Sequence, residues 1–402
     1  MNVFLCCLQS DHDYPIAPYK FWRENFKPAL EAMGHRVLEP QGLDFAAPLA
    51  NRNDAAFVKR YRADTSETLL RQVREAHGAR GVDLFLSYFY TAHVLPDAIA
   101  EIGRLGIPTV NFFTDNMREF HSVSALVNSF TLNWVPEKDA CALYQKKKAP
   151  FIYLPMAANP EFYRAEPGVE IPQVTFVGGA DHLRIRLLAQ ALQGGLALKA
   201  YGRGWVTEDA SPTDHSPIPS WPGFLARRRV SLAQHWERVR AYGLAGEVRH
   251  LQSRSMGGDL LQGFEEAFHP PVSHPQFLHL GANSSVFLGI NRCPSPGYPL
   301  DRPLVYSRLR DIEGPMMGAC LLTERCSDVE ELYEIGSEVA VYRTSEELVA
   351  EAQRLMRDAP SRKRLRERGH AAALARHTWR RRFEMLFRTL GLKIEAGATQ
   401  GP

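Results

Sequence analysis

The chain has 402 residues, 45% of them hydrophobic and 23% charged, with a formal net charge of +3. That is the balance of an ordinary globular chain, too mildly basic to mark a nucleic-acid binder, and long enough for two domains because single cores stop growing beyond about 250–300 residues. No stretch reaches the roughly 20 apolar residues of a membrane span.

The N-terminal run NVFLCCL lacks a basic leader and meets Asp11, His12 and Asp13 directly, so it reads as a first strand rather than a signal peptide. The six cysteines form no C-x-x-C pair and sit mostly in apolar runs, as buried thiols do. Cytoplasmic residence is the expectation. A helix from about Tyr19 to Met33 follows, with Trp22, Phe26, Leu30 and Met33 on one face, a kink or restart predicted at Pro28, and Gly34 as its stop. A second helix is predicted to open at Asp64, with Glu67 three residues on. VDLFLSYF, IPTVNFF, FTLNWV and FIYLP complete the strands of a first domain over residues 1–165.

The stretch 160–172 is rich in Pro and charge and poor in pattern, and marks the joint. Beyond it VTFVGG, LALKAYG, SVFLGIN, ACLLT and EVAVY repeat the strand scheme in a second domain over 166–402. Residues 206–275 break the pattern with many prolines and read as an insertion. Thr344 caps a helix with Glu347 at its third position, and the chain fades into a polar tail. The fold class is α/β: two doubly wound sheets facing across a cleft, where ligands bind at the carboxyl ends of strands. That architecture serves many activities, so motifs must choose among them.

The most informative segment is SRLRDIEGPMMGACLLTE, Ser307 to Glu324, a helix bearing Glu313 that feeds an apolar strand. It resembles the acid-bearing helix of retaining GT-B glycosyltransferases. YFYTAHVLPDAIAEIGRLGIPTVNFFTDN, LNWVPEKD with LPMAANPEFY, VTFVGG with KAYGRGW, and LARHTWRRRFEMLF resemble, in the same order, the CgeB-like (spore maturation protein type) branch of those enzymes. The resemblance implies a nucleotide-sugar donor, UDP- or GDP-linked, held on the second domain. Glu313 then accepts hydrogen bonds from the donor ribose, Gly202 of KAYGRGW lies on the donor side, and a helix over about 361–390 crosses back to the first domain. It implies no bound metal and no cofactor beyond the donor. Retaining enzymes of the largest family carry a second acid eight positions before the ribose acid. Here that position is Val305, which leaves the stereochemical outcome open, while Arg310 stands three residues before the acid as in CgeB-like chains.

A diphosphate needs backbone N–H groups and cations, and VTFVGGADHLRIR offers a strand, the pair Gly178–Gly179 and helix-borne Arg184 and Arg186. Arg310 is the further candidate, with the catalytic task of neutralising the leaving group. The Gly pair could equally be a plain turn, and Arg308 and Arg310 could merely solvate a helix. On the first domain, Asp115 and Asn116 follow a strand's carboxyl end, as acceptor contacts or, for Asp115, a general base or a helix cap. His93 is similarly placed. The pair Asp11 and Asp13 imitates a GT-A metal site, a role set aside in a two-domain chain; His12 and Asp13 instead read as acceptor-side residues or a cap, with His12 a catalytic candidate.

The run Arg376 to Arg382 is basic, but Trp379, Phe383, Leu386 and Phe387 recur at helical spacing, so one face is buried and the arginines read mostly as a solvated face rather than a membrane or nucleic-acid patch. The acceptor, whether glycan, protein or small molecule, is not written in the sequence. A nucleotide-sugar binding or interaction protein without turnover, on the same fold, is the rival reading, and Val305 is the residue compatible with it.

Overall fold

In the first half of the chain six short strands, buried except at the sheet edges β2 and β6, alternate with helices: β1 (Asn2–Cys6), β2 (Arg36–Leu38), β3 (Leu84–Ser87), β4 (Thr109–Phe112), β5 (Leu132–Val135) and β6 (Phe151–Tyr153). They form one parallel sheet in the order β2-β1-β3-β4-β5-β6. In the second half β7 (Ile171–Val177), β8 (Leu198–Tyr201), β9 (Phe268–His269), β10 (Ser284–Gly289), β13 (Leu321–Glu324) and β14 (Ala340–Tyr342) form a second parallel sheet, ordered β14-β13-β10-β7-β8-β9. Between them in sequence, β11 (Arg292–Cys293) and β12 (Leu304–Val305) make an antiparallel ribbon. This computed structural model describes residues 1–7, 10, 20–166, 168–206, 243, 244, 246, 259–295 and 297–392. Asp11, His12, Asp13 and most of the 206–275 stretch lie outside the described residues.

Both sheets are doubly wound. In the second, strand order reverses between β7 and β10, and in the first between β1 and β3; such switch points are where open α/β sheets leave a crevice for ligands. The chain divides into two units, Met1–Asn159 joined by the segment from Thr378, and Pro160–His377. No described helix is long and apolar enough to cross a membrane.

Each helix forms because a stripe of its residues is buried. Helix α1 (Phe21–Ala32) buries Trp22, Phe26, Ala29 and Leu30 and runs through Pro28 as a single element, without the predicted restart. The buried aromatic face outweighs the one backbone bond that proline removes. Helix α2 (Ala55–Arg80) opens ten residues earlier than Asp64 predicts. The cap is Asp54, which accepts from Phe57 N–H at 2.9 Å and leaves Asp64 inside the helix. Helix α3 (Pro96–Arg104) covers the same sheet, and the terminal helix Trp379–Thr389 completes the first unit's core. Its Trp379 ring meets Phe26 at 4.8 Å, Trp22 at 6.0 Å and Trp134 at 6.0 Å, and its indole donates to Asn25 Oδ1. Arg380 and Arg381 lie on the outer face paired with Glu384. Arg382 departs from the solvated-face expectation: it is buried and donates to the carbonyls of Pro155 and Met156.

In the second unit, helices α4 (His182–Gln193), α5 (His274–Asn283), α6 (Arg310–Met316), α7 (Ser345–Arg357) and α8 (Ala359–Arg376) flank the sheet. Asp181 caps α4, Ser273 caps α5 through a capping box with Gln276, and Thr344 caps α7 by accepting from Glu347 N–H. The short strands β2 and β9 and the β11–β12 ribbon carry too few residues to show a period in sequence.

Candidate donor site

The site on the second unit is built around α6, whose place is set by a buried carboxylate. Asp311 is fully buried and accepts hydrogen bonds from Thr323 Oγ1 (2.5 Å), Ser307 Oγ (2.8 Å), Asn291 Nδ2 (2.8 Å) and Arg308 N–H (3.3 Å). These bonds tie the start of α6 to the carboxyl ends of β10 and β13. Gly289 makes room for them: a Cβ there would stand 2.4 Å from Thr323 Oγ1. Glu324 binds Arg292 through both carboxylate oxygens and closes the network.

Burial pushes the Asp311 carboxyl up to about 6, against the pull of its hydrogen bonds. The folded chain therefore holds this proton more tightly than the unfolded one. The associated stability is fully present below pH about 4 and is lost as pH rises through about 6, a span worth roughly 3 kcal/mol. Urea unfolding of wild type and Asp311→Asn across this range should show that loss in wild type and not in the variant; identical pH profiles would count against it.

So held, α6 presents Arg310 and Glu313 on one face. The Arg310 guanidinium donates to Val177 O at 3.0 Å, at the carboxyl end of β7, and lies over the Phe277 ring at 4.3 Å from its centroid. Its Nη1 is 2.9 Å from Glu313 Oε2. The other Glu313 oxygen accepts from the Tyr163 hydroxyl at 2.6 Å. Arg184, from α4, donates to Gly179 O at 2.8 Å and pairs with Asp181. Burial is the main cause holding its pKa below the ordinary value; Asp181 opposes, and the charges of Arg308 and Arg310 add to the lowering. Arg184 and Arg310 thus stand together at the end of β7. Arg308 lies outside the helix, donating to Cys293 Sγ and to the Tyr306 hydroxyl. Arg186 stands two positions after Arg184, turned by about 200° round α4 from it.

The glycines have a packing reason of their own. A Cβ on Gly202, whose φ is +154°, would sit 2.2 Å from Gly178 O, so only glycine lets the ends of β7 and β8 approach this closely. Gly178 O also accepts from the Trp205 indole, while Gly179 O takes Arg184. Gly202 therefore shapes the loop against Gly178.

On the first unit two expectations are corrected. His93 is fully buried among Phe45, Phe89 and Tyr90, and burial pulls its pKa down to about 3, so it is a neutral core residue and not an acceptor contact. Asn116 is fully buried with its amide engaged by Glu137, Phe113 O and Tyr144, which leaves no group to offer a ligand. Asp115 differs: it is part exposed, sits in the left-handed region at φ +57°, and pairs with Arg118 at 3.2 Å. Tyr88 and Tyr90, whose hydroxyls meet at 2.9 Å, follow β3 beside the switch point; they open the YFYTAHV motif but were given no role in it.

Residues 227–388 match the family model for glycosyl transferase-like proteins. The two doubly wound parallel sheets have the GT-B fold. Solved structures of that fold include sucrose-phosphate synthase from Thermosynechococcus elongatus, at 13% identity over 97% of this chain and 99% of that one with a TM-score of 0.53. AviGT4, a glycosyltransferase of avilamycin A biosynthesis, matches at 14% identity over 97% of both chains with a TM-score of 0.54. Anabaena HepE in complex with UDP and glucose matches at 15% identity over 97% and 99% with a TM-score of 0.50. No curated protein matches the sequence. Glu313, Arg308 and Arg310 lie inside the segment that the family model covers, and Arg184 precedes it.

Proposed function

We propose that this chain is a CgeB-like glycosyltransferase that moves a sugar from a nucleotide-sugar donor to an acceptor nucleophile, working in the cytoplasm without a bound metal. The observation that carries the reading is the convergence of Arg184 and Arg310 with the Glu313 carboxylate at the carboxyl end of β7, the switch point of the second sheet. As the bond to the sugar breaks, negative charge gathers on the departing diphosphate, and fixed guanidiniums supply the stabilisation that a cation would otherwise give. Glu313 is suited to the donor ribose because a carboxylate accepts from two hydroxyls at once. The HepE complex with UDP supports a uridine donor ahead of a guanosine one. Acceptor binding belongs to the first unit, with Asp115 as the candidate base and Tyr88 and Tyr90 beside it. The likeness to retaining GT-B enzymes favours retention of configuration.

Val305 supports one further reading, nucleotide-sugar binding without turnover, because it puts no carboxylate where the largest retaining family has one. A thermal-shift panel of nucleoside diphosphates, followed by donor hydrolysis assays, separates the cases. A ligand at about 100 times its dissociation constant adds roughly 2.7 kcal/mol of stability. Stabilisation with hydrolysis is expected; stabilisation without any turnover favours the binding protein, and no response to any nucleotide refutes both.

A further inference from the structure

Tyr163 lies in the stretch that composition marks as a mere joint, yet its hydroxyl reaches across 150 residues of sequence to Glu313 Oε1 at 2.6 Å. Several contacts hold it there. Its ring is almost fully buried and stacks edge-on against Phe162 at 5.2 Å. Phe162 in turn meets the His274 ring at 4.4 Å, and His274 Nε2 bonds to Phe162 O at 2.9 Å. His274 begins α5, the helix whose Phe277 lies under Arg310. One helix therefore seats both groups that grip the Glu313 carboxylate, Tyr163 on one oxygen and Arg310 on the other.

Each carboxylate oxygen has two acceptor positions. Tyr163 occupies one on Oε1, while the Arg310 guanidinium faces Oε2 as an ion pair at 2.9 Å without a hydrogen bond, so each oxygen keeps at least one position. Two vicinal hydroxyls need two acceptors on adjacent oxygens. We propose that Tyr163 is a positioning residue for the donor: by taking one position on Glu313 it fixes the carboxylate plane so that an open position on each oxygen faces the 2′- and 3′-hydroxyls of the donor ribose. Burial, and then the nearby Glu313 charge, raise the phenol well above its ordinary range, which keeps it a proton donor across all working pH values. This inference rests on the assignment of Glu313 to ribose and goes beyond it by naming what orients the acid.

The test is calorimetry on wild type and Tyr163→Phe with UDP and its 2′-deoxy and 3′-deoxy forms, or the GDP series if the thermal-shift panel favours guanosine. The substitution keeps the ring against Phe162 and His274 and removes only the hydroxyl. Wild type is expected to bind the ribo form at least tenfold more tightly than either deoxy form. Tyr163→Phe should shrink that ratio about three- to tenfold while changing deoxy affinity less than twofold. The ratio is taken within one protein, so a change in folded fraction cancels from it. Equal losses for all three ligands, or none, would make Tyr163 a packing residue only, and tighter ribo binding by the variant would make its phenol a competitor; either result overturns the proposal. A wild type that does not discriminate the deoxy forms would instead overturn the assignment of Glu313 itself.

Discussion

Glu313→Ala should weaken binding of the preferred ribonucleoside diphosphate by at least about a hundredfold, because each hydrogen bond to a charged acceptor contributes roughly 1.5–3 kcal/mol and two are lost. The substitution also strands two partners. The buried Tyr163 hydroxyl loses its acceptor and Arg310 loses its counter-charge, so some loss of stability accompanies the loss of affinity. Glu313→Gln separates the effects: its amide oxygen can still accept from Tyr163, while the oxygen facing Arg310 is replaced by a donor. It should fold close to wild type and bind weakly. Calorimetry with thermal melts on the three proteins checks this; variants that match wild type in affinity would place Glu313 outside the donor site.

Arg310→Ala should lower kcat by about a hundredfold and raise the donor KM far less. The reason is timing: charge on the leaving diphosphate grows towards the transition state, so a fixed guanidinium is worth more there than in the ground state, and removing one such donor costs on the order of 10²–10³ in rate. Arg310→Lys keeps a charge but loses the planar fork that bonds Val177 O and lies over the Phe277 ring. It should fall between alanine and wild type. Steady-state kinetics on the three proteins decides the matter, and an unchanged kcat in a folded Arg310→Ala variant would remove the residue from the chemistry.

The strands were legible in the sequence because a parallel sheet buried on both faces demands continuous apolar runs, and NVFLC, LFLS and SSVFLG meet that demand with little else to confuse them. Glu313 and Arg310 were legible because they share a short segment with a strand behind it. What stayed hidden depends on contacts distant in sequence. Tyr163 lies in a stretch with no period, and only the folded chain brings it to Glu313. Arg308 looked like a second surface arginine beside Arg310, since residues two apart on a helix face away from each other. The helix begins only at Arg310, so Arg308 is free of that rule. His93 and Asn116 misled for the opposite reason: a polar residue at the end of a strand can turn inward as readily as outward, and only burial tells which. Asp54 took the cap predicted for Asp64 because nothing between the two breaks the helix.

The terminal helix has a bearing on biosynthesis. Trp379, Phe383, Leu386 and Phe387 belong to the core built by residues near the other end of the chain, and Ala158 and Thr378 are bridged where the chain departs and returns. A ribosome working from the first residue must therefore deliver all of 160–377 before Trp22, Phe26 and Trp134 receive their last partners. During that interval the second sheet can fold as a finished body, while the first waits with an aromatic face uncovered. Synthesis order and folding order are thus inverted in this chain: the half translated first is the half completed last.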